Sequence, residues 1–240
     1  MVYQPRIYRN LHRSTDLVSF NVMIEETDLY ISALSNLEKE ARESIVKYRN
    51  TLEDYIKEND IFLTSLKPLS LNDNMPLICK LMVKSTQQAG VGPMASVAGV
   101  MAELVGKDLL KYSTEIIIEN GGDIFIKTDK KRNIGIFAGN NSPFRDKIII
   151  QIDPQDTPLG ICTSSGTIGH SLSFGKPDAV TVLAKDAGLS DACATAIGNI
   201  IQTPNDFEKG VEFAKRISGL NGLILVKDDK LIIWGNVKLC

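Results

Sequence analysis

Asp191 and Thr195 form a pair whose residue types and spacing suggest chemistry. Residues four apart share one face of a helix. A carboxylate beside a hydroxyl there can hold a hard cation such as Mg²⁺, with waters and phosphate oxygens completing the coordination. A structural interpretation stays open beside this one, because an Asp in the first turn of a helix is favoured by the helix dipole. The Thr would then only pack among small residues.

Residues 162–175 are rich in glycine and hydroxyl side chains, and they include Thr163, Ser164, Ser165 and His170. Backbone amides beside glycines and hydroxyls suit the binding of a phosphate group. Histidine is the usual general base near neutral pH, which makes His170 a candidate for that role. The alternative is a hydroxyl-rich turn in which the histidine is merely hydrogen-bonded.

Two glycine-containing turns complete the set of candidate segments. Gly121 and Gly122 stand between two strand-like runs, just before Asp123. Glycines at positive φ explain a tight turn there, and they could also let the backbone approach a ligand. Gly92 and Ala95 precede a helix-like run, so the free amides at the start of that helix could meet a phosphate. Neither turn matches a Walker A loop or the GxGxxG pattern.

The elements that must position these residues follow from hydrophobic periodicity. Strand-like runs predict hairpins over residues 18–32 and 115–128, strands over 133–139 and 147–153, a buried strand over 179–184, and a closing hairpin around 228–229. Helical periods predict helices over 33–58, 75–88, 94–104 and 206–218, and one that begins with Ser190 as its N-cap. Neighbouring strands are mostly joined by hairpins. We therefore predict an α+β fold with antiparallel or mixed sheets and packed helices, in one domain over residues 1–240.

Composition excludes several classes of protein. With 27 Lys and Arg against 29 Asp and Glu, the chain lacks the basic character typical of nucleic-acid binders. Its 4 cysteines form no CxxC pair and no zinc pattern with His, which favours a reducing compartment. The first residues do not resemble a signal peptide, and no run approaches the length of a membrane span. We therefore expect a cytoplasmic protein that does not bind membranes.

The order of the candidate segments resembles the ApbE superfamily, the FAD:protein FMN transferases. That family has a glycine-rich helix start, a GGD turn, a TSG segment before a His, and a helix reading DAxAT. The matching runs are Gly92-Pro93-Met94-Ala95, Gly121-Gly122-Asp123, Ser164-Ser165-Gly166 before His170, and Asp191-Ala192-Cys193-Ala194-Thr195. The runs IEETDLYIS, ENGGDI and TSSGTIGHSLSFGKPDAV resemble a cytoplasmic branch of the superfamily, whose fold is α+β.

The resemblance implies a Mg²⁺-dependent reaction on FAD or a related nucleotide, with Asp191 and His170 as catalytic residues. Asp191 and Thr195 would be side-chain ligands of Mg²⁺, and a backbone carbonyl near Ala95 would be a third. His170 would be the candidate base on an acceptor hydroxyl. The cation would neutralise the FAD pyrophosphate and stabilise charge on the departing AMP, while a Thr of a protein acceptor attacks the FMN-side phosphorus. The nucleotide would be bound by Gly92, Ala95, Gly121, Gly122, Asp123, Thr163, Ser164 and Ser165.

Departures from the family pattern keep other functions open. Ser96 stands where the family has Lys, Pro93 replaces its second glycine, and the Asp-Pro-x-Thr-Gly run after the family's His is absent. A flavin- or nucleotide-binding protein without transferase activity is the first alternative. Another is a hydrolase with Ser164 or Ser165 as nucleophile, although the spacing is not GxSxG. A scaffold could bind a partner through the loop at residues 68–76, and an edge strand in the closing hairpin could pair with a second subunit.

Overall fold

An antiparallel sheet of eight strands runs through the computed structural model, which describes residues 16–140, 142–145, 147–166 and 175–240. In spatial order its strands are β1 (Val18–Ile24), β2 (Thr27–Ala33), β3 (Ile116–Asn120), β4 (Asp123–Lys127), β7 (Leu159–Ser164), β8 (Ala179–Ala184), β9 (Leu220–Lys227) and β10 (Lys230–Gly235). A second, two-stranded sheet pairs β5 (Arg132–Ile136) with β6 (Ile148–Ile152). Every strand pair in the described residues is antiparallel, which confirms the predicted α+β class.

Helices cover one face of the large sheet. They are α1 (Glu38–Glu58), α2 (Ile61–Thr64), α3 (Leu77–Ala89), α4 (Val97–Leu109), α5 (Ala187–Ile200) and α6 (Phe207–Arg216). Helix α4 packs on β3 and β4, helix α5 packs on β7 and β8, and the two helices contact each other. The segments that carry most candidate residues therefore meet between these helices and the sheet.

Side chains alternate between the two faces of the sheet, as the period of a strand requires. Ile118 and Phe125 belong to the core beneath the helices. Ile117 and Ile124 belong to a second core on the opposite face, together with residues of β5 and β6. Because residues paired across strands share a face, this alternation decides which polar residues at the strand ends can reach helix α5.

Predicted and observed boundaries differ at helix starts. Helix α1 begins later than predicted, because residue 33 still belongs to β2. The run predicted as a helix from Met94 starts as a 3-10 turn and becomes α-helical at Val97. The prediction of Ser190 as an N-cap is wrong, since α5 already begins at Ala187. Ser190 is buried inside that helix, where its hydroxyl donates to the Val182 carbonyl at 2.5 Å.

Among the described residues, no single helix has both the length and the apolar character to cross a membrane. Helix α3 and residues 93–109 meet that test only as a pair, which is bent by 98°.

Candidate functional site

Asp191 of α5 is bonded directly to the start of α4. Its Oδ2 accepts a hydrogen bond from the Gly99 amide at 2.9 Å. Gly99 lies in the first turn of α4, where backbone N–H groups have no partner within their own helix. Further along, Glu103 of α4 accepts a hydrogen bond from the Ala187 amide, at the start of α5, at 2.8 Å. The two helices therefore run in opposite directions, and each caps the other with a carboxylate.

Asp123 lies in the sheet, next to the contact between α4 and α5. It opens β4, pairs with Asn120 across the turn and pairs with Cys162 of β7. Because Cys162 belongs to the core beneath the helices, Asp123 shares the helix-facing side of the sheet. The Asn120 side-chain amide donates to the Ala98 carbonyl at 3.2 Å, which ties the end of β3 to the first turn of α4. The GGD turn and the DAxAT helix, far apart in sequence, thus meet.

The carboxyl groups of Asp123 and Asp191 lie in a poorly solvated place. Burial raises the pKa of Asp123 well above its usual range, and the neighbouring charge of Asp191 raises it further. Burial also raises the pKa of Asp191, while hydrogen bonds from the amides of Gly99 and Ala98 lower it. A proton or a nearby cation stabilises such a pair, because either one reduces the repulsion between the two negative charges.

The hydroxyl side chains at the end of β7 are divided between the two faces of the sheet. Ser164 faces α5, because its hydroxyl oxygen lies 3.3 Å from where a β-carbon on Gly198 would stand. Thr163 points to the opposite face, where its hydroxyl lies 2.9 Å from that of Thr181. Only the backbone amide of Thr163 reaches the site, where it lowers the pKa of Asp123.

Ser165 and His170 follow β7 in the chain. Ser165 is half-buried directly after the strand. His170, the predicted base, belongs to residues 167–174, which lie outside the described residues. The described residues that flank this stretch, Gly166 and Gly175, pack against each other, and Gly175 packs on the backbone carbonyl of Gly198. Both flanking residues therefore lie beside the last turns of α5.

Gly92 and Ala95 lie in the turn before α4. Gly92 is buried against the loop after α2, and a β-carbon there would stand 1.8 Å from the Ser65 carbonyl oxygen, so packing alone requires glycine. Ala95 is half-buried in a 3-10 turn that contacts α5. The binding of a phosphate by the first amides of α4 stays a prediction. One of these amides, that of Gly99, donates its hydrogen bond to the carboxylate of Asp191.

Glu103, Asn120 and Cys162 also belong to this site, although the sequence patterns did not assign them to it. Glu103 is only 4% exposed. It is the single charged residue in the run at 94–104, and a charge in such an apolar run is a signal of a buried partner. The Cys162 thiol donates to the Ala187 carbonyl at 3.3 Å. Burial raises the pKa of Cys162 well above its usual range, so the thiol stays protonated and is a poor nucleophile.

The donor atoms at this place suit Mg²⁺. Asp191 offers a carboxylate, Thr195 a hydroxyl one turn along the same face of α5, and Asp123 a second carboxylate nearby. Magnesium selects hard oxygen donors and commonly keeps several waters. Within the described part of the chain, no group of three or more His, Cys, Asp and Glu side chains could hold a metal. A cation here would therefore complete its coordination with Thr195, backbone, water or ligand oxygens.

The loop predicted as a partner-binding surface lines a different groove. This groove, of about 790 Å³, lies between that loop and residues that include Tyr55 of α1 and Phe62 of α2. Asp73 is the one carboxylate among its lining residues. The groove thus lacks the paired acids of the site at Asp191.

Comparison with known proteins gives close relatives in sequence. The family model described as "AbpE bacteria" matches residues 9–216. The chain is 40% identical over 216 residues to the UPF0280 protein of Methanococcus vannielii. The aligned region covers 88% of this chain and 87% of the relative. It is likewise 40% identical over 222 residues to the UPF0280 protein of Methanocaldococcus jannaschii, covering 90% of each.

Solved structures share the fold at low sequence identity. The flavinyl transferase ApbE of Pseudomonas stutzeri, in its apo form, matches with a TM-score of 0.62 and 15% identity, over 91% of this chain and 93% of that one. The ApbE protein of Thermotoga maritima matches with a TM-score of 0.59 and 12% identity, over 91% and 96%. At these identities the likeness establishes an ApbE-like α+β fold.

Proposed function

Because the chain belongs to the UPF0280 family, with an ApbE-like fold, we propose that it is a Mg²⁺-dependent enzyme acting on FAD or a related nucleotide. The proposed reaction is the transfer of FMN to a hydroxyl group, for which a Thr of a protein acceptor is the candidate. The acceptor oxygen forms a bond to the FMN-side phosphorus, the bond from that phosphorus to the AMP oxygen breaks, and the hydroxyl proton passes to a base.

One observation carries this proposal: the GGD turn and the DAxAT helix converge on a single pair of poorly solvated carboxylates. Asp123 and Asp191 come from different elements, and each has a raised pKa. Raised carboxyl pKa values at a polar cluster are a feature of functional sites. A purely structural role for Asp191, as a cap on α4, accounts for its bond to Gly99 but not for the second acid beside it.

The residues of the site would divide the work among them. Asp191 and Thr195 would hold Mg²⁺, with the carbonyl near Ala95 as the third protein ligand. Bound Mg²⁺ would offset the charge of the pyrophosphate and of the departing AMP. The amide of Gly99 keeps the Asp191 carboxylate oriented, as outer hydrogen bonds do for metal ligands. Ser164, which faces α5, would donate its hydroxyl to a phosphate oxygen.

A second candidate function is the binding of a flavin or nucleotide without transfer. The observation in its favour is at Ser96, where the family has Lys. Ser96 is buried, and its hydroxyl donates to the Pro93 carbonyl at 3.0 Å. This position therefore supplies no positive charge to a phosphate, and catalysis would depend more heavily on the cation and on His170, the base proposed from sequence.

Mass spectrometry of the nucleotide products separates the two functions. The purified protein is incubated with FAD and Mg²⁺, beside Asp191→Ala and a matched control, Asp54→Ala. Asp54 lies on α1 with a 72% exposed side chain, and it forms an ion pair with the exposed Lys57. We expect AMP release by the wild type and the control, and none by Asp191→Ala or after chelation of Mg²⁺. Bound but intact FAD would favour the second function, and AMP release without Asp191 would contradict the first.

A further inference from the structure

Glu103 is a buried acid that the proposed chemistry does not use. Its Oε2 accepts the hydrogen bond from the Ala187 amide at 2.8 Å, and its Oε1 lies 2.5 Å from the Lys107 ammonium. Ala187 is the first residue of α5, so Glu103 supplies the cap that this helix lacks locally. No side chain at its N-cap, Asp186, makes a capping hydrogen bond. The start of α5 thus depends on a carboxylate from α4.

The space between the two helices leaves α5 little freedom to shift. A β-carbon on Gly99 would stand 2.3 Å from the Ala187 carbonyl oxygen and 2.8 Å from the β-carbon of Asp191. One on Gly188 would stand 2.5 Å from a methyl group of Val100. Packing fixes the separation of the helices, but sliding of one along the other is resisted by the two directional hydrogen bonds, Gly99 to Asp191 and Ala187 to Glu103.

We propose that Glu103 is the positioning residue of the site: it holds the start of α5 in register, so that the Asp191 carboxylate stays on the amide of Gly99 and faces the ligand. This inference rests on the proposed function in one respect only, namely that the ligand is a divalent cation. Glu103 touches neither the cation nor the nucleotide. Charge-assisted hydrogen bonds of this kind are about twice as strong as neutral ones, which suits a bond that sets the position of a helix.

Amide hydrogen exchange tests the positioning directly and without any ligand. The exchange rate of the Gly99 amide is compared with that of the Ile118 amide, in the inner strand β3, to cancel changes in global stability. In Glu103→Ala we expect Gly99 to exchange about tenfold faster relative to Ile118, because the bond to Asp191 is lost along with the register. Glu103→Gln keeps an oxygen for the Ala187 amide, so its ratio should lie between those of wild type and Glu103→Ala.

Lys107→Ala is the matched control, because it removes the half-exposed partner of Glu103 while leaving the cap in place. In this variant, the ratio of the Gly99 to the Ile118 exchange rate should equal that of the wild type. An unchanged Gly99 ratio in Glu103→Ala would overturn the proposal. If Glu103→Ala does not fold, the Glu103→Gln ratio decides: a value equal to that of Lys107→Ala would overturn it as well.

Titration with Mn²⁺, as a spectroscopic stand-in for Mg²⁺, provides the second readout. We expect about tenfold weaker binding in Glu103→Ala than in Lys107→Ala, at the low end of what the loss of an outer contact costs a metal site. Equal affinity in the two variants would overturn the link to the ligand. If the wild type itself binds no Mn²⁺, the proposed function fails, while the exchange ratios still decide whether Glu103 positions Asp191.

Discussion

At the scale of single residues, Gly99 decides whether Asp191 can approach α4. Its amide donates to the carboxylate, and it has no side chain to keep the two helices apart. The same carboxylate would serve as cap and as ligand, since a carboxylate has about four acceptor positions and the cap uses those facing α4. The bond to the backbone therefore orients Asp191 without excluding a cation.

Gly99→Ala should weaken both the helix contact and the site. The added methyl would lie 2.3 Å from the Ala187 carbonyl oxygen, so the helices must move apart, at a cost of about 1–3 kcal/mol. Chemical denaturation measures the loss, and Mn²⁺ titration should show weaker binding. The control is Gly210→Ala in α6, where the nearest atoms are side-chain ends at 3.1 Å that can adjust. Equal losses in the two variants would contradict this account of Gly99.

Sequence patterns identify some residues of the site and miss others for a physical reason. The four-residue spacing of Asp191 and Thr195 is local, so the shared helix face is predictable. Whether Thr163 or Ser164 faces the helices depends on the register between β7 and its neighbours, and the two hydroxyls look alike in sequence. The role of Glu103 could not be predicted either, because its partner amide lies on another helix.

At the scale of elements, the turn between β3 and β4 positions Asp123. Gly121 has φ of 70° and Gly122 has φ of 107°, as in the type I′ turn whose twist suits a two-residue hairpin. The Glu119 carboxylate accepts a hydrogen bond from the Gly122 amide at 2.9 Å, which braces the turn. The first residue of β4 is Asp123, so the turn determines where this acid enters the site.

Gly122→Ala should strain this turn, because a φ of 107° is unfavourable for a residue with a β-carbon. We expect a loss of about 1–3 kcal/mol in the free energy of unfolding, together with weaker Mn²⁺ binding from displacement of Asp123. Gly121→Asn is the paired control, since Asn tolerates φ near 70°, and nothing lies within 4 Å of a β-carbon there. A Gly122→Ala protein as stable as Gly121→Asn would be the contrary result.

Strands were easier to predict than helix starts. The apolar run over residues 179–184 predicts the buried strand β8, and Gly121 and Gly122 between two strand-like runs predict a hairpin, because both signals lie in neighbouring residues. The prediction of Ser190 as N-cap places the start of α5 too late, since the helix begins at Ala187. A serine before a helical run is a local signal, and it carries no information about a cap from another helix. The cap used by the protein comes from Glu103, outside that run.

At the scale of the whole molecule, Arg132 joins the small sheet to the large one. This residue opens β5, and its guanidinium bonds the Glu115 carboxylate at 2.7 Å and the Asp16 carboxylate at 2.5 Å. Glu115 and Arg132 are 3% and 7% exposed. Burial raises the pKa of Glu115, but the Thr128 hydroxyl and Arg132 outweigh it, so the pKa lies below the ordinary 4.5. Glu115 thus contributes stability above pH 4.5 that is lost as the pH falls through its lower folded pKa.

Arg132→Ala should destabilise the fold by about 3–5 kcal/mol at pH 7, because it leaves the buried Glu115 carboxylate without its cation. The penalty should be smaller at pH 3 than at pH 7, because Glu115 gains protons as the pH falls and protonation removes the unpaired charge. Denaturant unfolding at both pH values measures this difference. Lys230→Ala, which removes a 63% exposed side chain whose ion-pair partner Asp229 is itself exposed, should change stability by no more than about 1 kcal/mol. A penalty for Arg132→Ala that is independent of pH would refute the charge argument.

Calorimetric titration of FAD into the protein tests the central claim most directly. Wild type, Asp191→Asn and the control Asp54→Asn are titrated with Mg²⁺ present and with Mg²⁺ chelated. Asn keeps an oxygen for the Gly99 amide but loses the charge that a cation needs. We expect Mg²⁺-dependent binding of FAD by the wild type and the control, and at least about tenfold weaker binding by Asp191→Asn. Equal binding by all three proteins, with or without Mg²⁺, would contradict a cation-dependent nucleotide site at Asp191.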